Sequence, residues 1–150
     1  MGSELIKPNL ALTDFNAQGS NRIEFDSSND NALKVTYVDD DDGVKFYFSD
    51  SGGDHRVLND TPVSGDVYKF TFKAKSNITD ANTYLRTSSD TNYKVHLINN
   101  SDWQEYTIYH KCQSTTGDFF RMINLSSAEI VWMKDFSFKR LSGNHGTLAD

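Results

Sequence analysis

Asp39-Asp40-Asp41-Asp42-Gly43 is the densest run of carboxylates in the chain, and clustered carboxylate oxygens are what a hard cation such as calcium requires. The helix–loop–helix calcium pattern fails here, because Val38 falls at its first position and Ser49 at its twelfth. An Asp-Gly pair between two alternating apolar runs is a hairpin signal, so the stretch reads as a turn. Histidines stand at 55, 96, 110 and 145, none at metal-ligand spacing from another His, Cys or Glu. Cys112 is the lone cysteine. On a strand, His110 would share its face, but nothing orients a nucleophile and Cys112 reads as a small buried hydrophobe. A glycosidase needs an acid and a second carboxylate flanking one bond. The aspartates fall mostly in turns, where no such pair can be singled out. Tyr84, Arg86 and His96 admit a lyase reading on acidic polysaccharides, in a chain that is short for such an enzyme.

The stronger chemical signal is aromatic. Tyr47 lies on the polar side of its strand, opposite Phe46 and Phe48, and Tyr109 lies opposite Ile108. Tyr84 and Tyr93 flank a polar turn, and Arg86 shares the face of Tyr84. His96 alternates with Val95 and Leu97, which turns it away from the core. A sugar ring presents an apolar C–H face and a rim of hydroxyls. Aromatic rings meet the face, while Arg and His meet the rim. Tyr47, Tyr84, Arg86, Tyr93, His96 and Tyr109 are therefore the candidate ligand-binding residues, and no catalytic residue is assigned. Trp103 and Trp132 read as packing residues.

These side chains need strands to carry them. Period-2 alternation dominates and helix signals are nearly absent. Strands are expected at Asn9–Leu12, Arg22–Phe25, Ala32–Val38, Val44–Phe48, Val67–Ala74, Tyr84–Thr87, Tyr93–Ile98, Asp102–Cys112, Gly117–Leu125 and Glu129–Leu141. Such short strands at regular spacing predict an all-β, two-sheet antiparallel sandwich. Tyr68, Phe70, Phe72, Tyr106, Ile108, Phe136 and Phe138 should form its core. The 150 residues suit one domain. We expect an N-terminal extension at 1–7, the sandwich at 8–141, and a tail or linker at 142–150. The net charge of −6, without a cluster of Lys and Arg in the sequence, argues against a nucleic-acid partner. No apolar run approaches a membrane span, and the first residues lack an apolar signal core.

Several segments, in order, resemble the β-jelly-roll carbohydrate-binding modules appended to polysaccharide-degrading enzymes. Asn9-Leu10 with Asp14-Phe15-Asn16 is similar to their opening Asn-Leu…Phe-Glu. Tyr68-Lys69-Phe70-Thr71-Phe72-Lys73-Ala74-Lys75 resembles their Tyr-x-Phe-x-Phe-x-Ala-Lys strand, and Asp102-Trp103-Gln104-Glu105-Tyr106-Thr107 their Glu-Trp-Gln-x-Tyr-Thr. Met133-Lys134-Asp135-Phe136-Ser137-Phe138 looks like their closing strand, with Lys134 in place of an aspartate and Asn16 in place of a glutamate. The resemblance spans about residues 8–141. It implies a jelly roll, non-catalytic binding of a polysaccharide or surface glycan, and an extracellular, virion or cell-surface setting within a larger multidomain protein. It also implies a structural calcium near Asp14 and Asp135. The same jelly roll occurs in phage fibres and surface adhesins, which leaves a structural or adhesive module as the alternative.

Overall fold

The computed structural model describes residues 2–38, 44–47, 56–60, 62–79, 83–87, 94–97, 99–112, 119–123 and 128–141, with 86, 87, 94 and 119–123 described by their backbone. The elements are β1 (Asn16–Ala17), β2 (Arg22–Asp26), β3 (Ala32–Thr36), β4 (Val44–Tyr47), β5 (Val67–Ser76), β6 (Tyr84–Thr87), β7 (Lys94–His96), β8 (Asn100–Lys111), β9 (Phe119–Ile123) and β10 (Ile130–Arg140). They form two five-stranded antiparallel sheets, ordered β1-β4-β9-β6-β7 and β2-β3-β10-β5-β8. The expected sandwich is present.

Burial follows the alternation. Along β5, buried Tyr68, Phe70, Phe72 and Ala74 alternate with half-buried Lys69, Thr71 and Lys73. Tyr106 and Ile108 on β8 and Phe138 on β10 are buried beside them, and Phe136 packs against the same cluster. Phe46 of the facing sheet meets Phe70 at 6.4 Å and Phe15 at 5.6 Å between ring centroids. Each such ring contributes about 1.5–3 kcal/mol on burial. Cys112 and His110 are also buried, which fits the core reading of that thiol.

Strand β10 needs a correction of parity. Val131 and Met133 point inward at odd positions, whereas Phe138 is buried at an even one. A one-residue bulge reconciles them: Lys134 pairs with Lys73, but Ser137 pairs with Thr71. Asp135 occupies it with φ +57°, a left-handed conformation that Asp tolerates better than most residues.

Two boundaries differ from expectation. Asn9–Leu12 is not a strand; the chain instead makes a 3₁₀ turn at Leu12–Asp14. Asp14 Oδ2 accepts the Ala11 N–H at 2.8 Å, and this local bond competes with sheet pairing. Residues 2–7 belong to the sandwich rather than to an extension before it. Glu4 bridges Lys139, Ile6 bridges Leu58, and the Leu5 N–H donates to Phe138 O at 2.9 Å. Asp39–Gly43 and the tail 142–150 lie outside the described residues.

Candidate functional site

On β4, Val44 and Phe46 are buried, so Lys45 and Tyr47 take the outer face of the first sheet. On β6, Leu85 is buried and Tyr84 is half-exposed, which puts position 86 on the outer side with Tyr84. Register sets Tyr84 directly across from His96 of β7. Their rings lie 5.5 Å apart at 57°, with His96 exposed. Tyr47, Tyr84, Arg86 and His96 therefore share one sheet face. Tyr93 lies outside the described residues. Tyr109 separates from the group: it is 42% exposed, but it stands on β8, the edge strand of the opposite sheet, across from Lys69.

That opposite sheet carries both tryptophans on its outer face, and they are engaged within the protein. The Trp132 indole N–H donates to Asp26 Oδ2 at 2.9 Å, and that of Trp103 to Asp30 Oδ2 at 3.1 Å. Lys75 Nζ sits 5.0 Å from the Trp103 ring centroid and 5.7 Å from that of Trp132, with Lys134 Nζ at 4.3 Å from Trp103. The Trp132 bond, helped by Asn29, holds the Asp26 carboxyl below the ordinary carboxylate value. Lys134, at 2.8 Å, does the same for Asp30. The two widest aromatic platforms are thus tied to the end of β2 and the turn that follows it. Sequence pattern had not indicated their partners, because Asp26 and Asp30 come close only through the fold.

A cleft of about 410 Å³ opens between the N-terminal segment, the β2–β3 turn and the β10 bulge, lined by Lys7, Asn9, Asp30, Lys134 and Asp135 among others. Its lysines are paired, Lys7 with Asp14 and Lys134 with Asp30, each at 2.8 Å. This cleft also bears on the calcium implied by the resemblance. Asp14 spends one oxygen on Lys7 and the other on the Ala11 N–H. Asp135 is largely exposed and lies 3.6 Å from Lys73. Among the described residues no three His, Cys, Asp or Glu side chains gather. Asp14 and Asp135 as they stand do not fit a calcium ion, whose six to eight oxygen ligands they could not begin to supply while paired to lysine.

Neither a protein-family model nor a curated protein matches the chain. Solved structures do. The CBM22-1 xylan-binding domain from Paenibacillus barcinonensis Xyn10C superposes with a TM-score of 0.65 at 9% identity, covering 95% of each chain. This is the fold of the carbohydrate-binding sandwich modules. The C-terminal family 22 carbohydrate-binding module of Clostridium thermocellum Xyn10B gives 0.58 at 10% identity over 92% of this chain and 91% of that one. CBM29_1 from Piromyces equi gives 0.54 at 13% over 91% and 89%. At such identities the shared property is the sandwich itself. Among the described residues no helix is long and apolar enough to cross a membrane.

Proposed function

We propose that this chain is a non-catalytic carbohydrate-binding module that holds a polysaccharide or surface glycan on the outer face of the β1-β4-β9-β6-β7 sheet. The observation that carries this reading is the outward Tyr84–His96 pair, with Tyr47 on the same face of a fold shared with sugar-binding modules. The tyrosine rings offer apolar platforms to the sugar C–H faces, and His96, with Arg86 at the adjacent outer position of β6, serves the hydroxyl rim. We further read the chain as one module of a larger protein acting outside the cell. Related structures combine such modules with others; this chain spans 30% of the Clostridium thermocellum protein that joins CBM22-1 and GH10 modules.

Each contact replaces one with water, so affinity is modest: roughly millimolar to micromolar, or about −4 to −8 kcal/mol. Titration calorimetry against plant, algal and bacterial polysaccharides tests the reading. Tyr84→Ala should weaken binding about two- to twelvefold, the value of one aromatic contact, without moving the thermal melt. No binding at millimolar sugar to any polysaccharide would overturn it.

A further inference from the structure

The same sheet face carries a feature that neutral sugars do not call for. One register row crosses all five strands and reads Asn16, Lys45, Arg121, Arg86, Lys94. The row above it holds Ile123, Tyr84 and His96, and the row below holds Tyr47 and Phe119. Positions 120 and 122 pair with the buried residues Phe46 and Leu85, so position 121 shares the outer side with Lys45 and Arg86. Four adjacent strands of an acidic chain, net charge −6, therefore each place one Lys or Arg at the same register row. Like charges directly opposite one another work against strand pairing. A row of basic positions on the face already assigned to ligand suits an anionic partner.

Resting on the proposed carbohydrate reading, we propose that the ligand is a polyuronate, a polysaccharide bearing ring carboxylates, lying across the strands along this row. Strands stand about 4.8 Å apart, so the four positions span roughly 14 Å of sheet. That pitch is close to the length of one pyranose residue, so successive sugars can present carboxylates to successive strands. The arginine fork matches a carboxylate through two parallel hydrogen bonds. A uronate carboxylate is attached directly to the ring. The rings of a chain lying along this row can therefore rest against one flanking aromatic, Tyr84 or Tyr47, while their carboxylates face the basic positions.

The test compares polygalacturonate, alginate and glucuronoxylan with their methyl-esterified forms, alongside neutral xylan and a sulfated galactan, by titration calorimetry at low and moderate salt. The proteins are the parent, Arg121→Thr, Arg86→Thr and, as a control for net charge, Lys69→Thr on the opposite sheet. We expect at least one polyuronate to bind and to lose about tenfold or more in affinity on esterification. Arg121→Thr and Arg86→Thr should cause a similar loss and Lys69→Thr should not. Added salt should weaken binding. Thermal melts of the arginine variants check that each is folded, so that lost affinity is not lost structure. Binding of neutral polysaccharide alone, unaffected in Arg121→Thr, overturns the polyuronate and leaves the carbohydrate reading standing. Sulfated galactan binding as tightly as any polyuronate overturns the carboxylate assignment. Absence of binding to every polymer overturns both proposals.

Discussion

Replacing Phe70 by Ala probes the contact between the two sheets. Phe70 is 1% exposed. Its ring lies within 6.4 Å of Phe46 across the sandwich, 5.4 Å of Phe72, 6.3 Å of Phe136 and 6.2 Å of Phe138. Truncation leaves those rings facing a void, since β5 is fixed on both sides by β10 and β8 and cannot collapse inward. Lost transfer energy and the residual cavity together cost about 3–5 kcal/mol. For a domain of this size each kcal/mol lowers Tm by about 2–4 °C, so the midpoint should fall by roughly 6–20 °C. Urea unfolding followed by fluorescence and circular dichroism measures the change, with an unaltered m-value showing that the unfolded state is unaffected. Tyr109→Ala, on an exposed position, is the control and should stay within about 0.5 kcal/mol. A loss below about 1 kcal/mol for Phe70→Ala would mean that β5 does not present this face to the core, and the parity assigned to the other strands would fall with it.

The remaining predictions concern the opposite sheet. Trp103 and Trp132 are the only tryptophans, so intrinsic fluorescence reports on their bonds to Asp30 and Asp26. Both carboxyls are depressed, so their contribution is complete above the unfolded value of about 3.9 and is lost as pH falls through the folded value below it. An acid fluorescence transition centred below pH ~3.9, removed in the double variant Asp26→Asn with Asp30→Asn, is expected; a midpoint at or above it would count against the assigned bonds. At the β10 bulge, Asp135→Val should cost about 1–2 kcal/mol in urea melts because a branched side chain resists the left-handed conformation, whereas Asp135→Gly should be nearly neutral. Equal stability of the two variants would argue that the bulge moves elsewhere.

Much of this protein is local information. Alternation in Tyr68–Ala74 and Tyr106–Ile108 separates inner from outer positions without any knowledge of partners, because successive strand residues point to opposite faces. The sandwich, the core phenylalanines and the outward placement of Tyr47, Tyr84 and His96 all follow from that period. Alternation stays silent about which strands adjoin. Only the tertiary pairing moved Tyr109 to the other sheet, joined Glu4 and Ile6 to distant strands, and bound the tryptophans to the end of β2 and the turn that follows it. The β10 bulge is of the same kind: the sequence carries Asp135, but the extra residue exists only relative to the register of β5. The basic row is the clearest case. Lys45, Arg86, Lys94 and Arg121 are scattered in the sequence and form no charge cluster there. Hydrogen-bond register between strands far apart in the chain brings their positions into line, and register is a property of pairs of strands that no single segment contains.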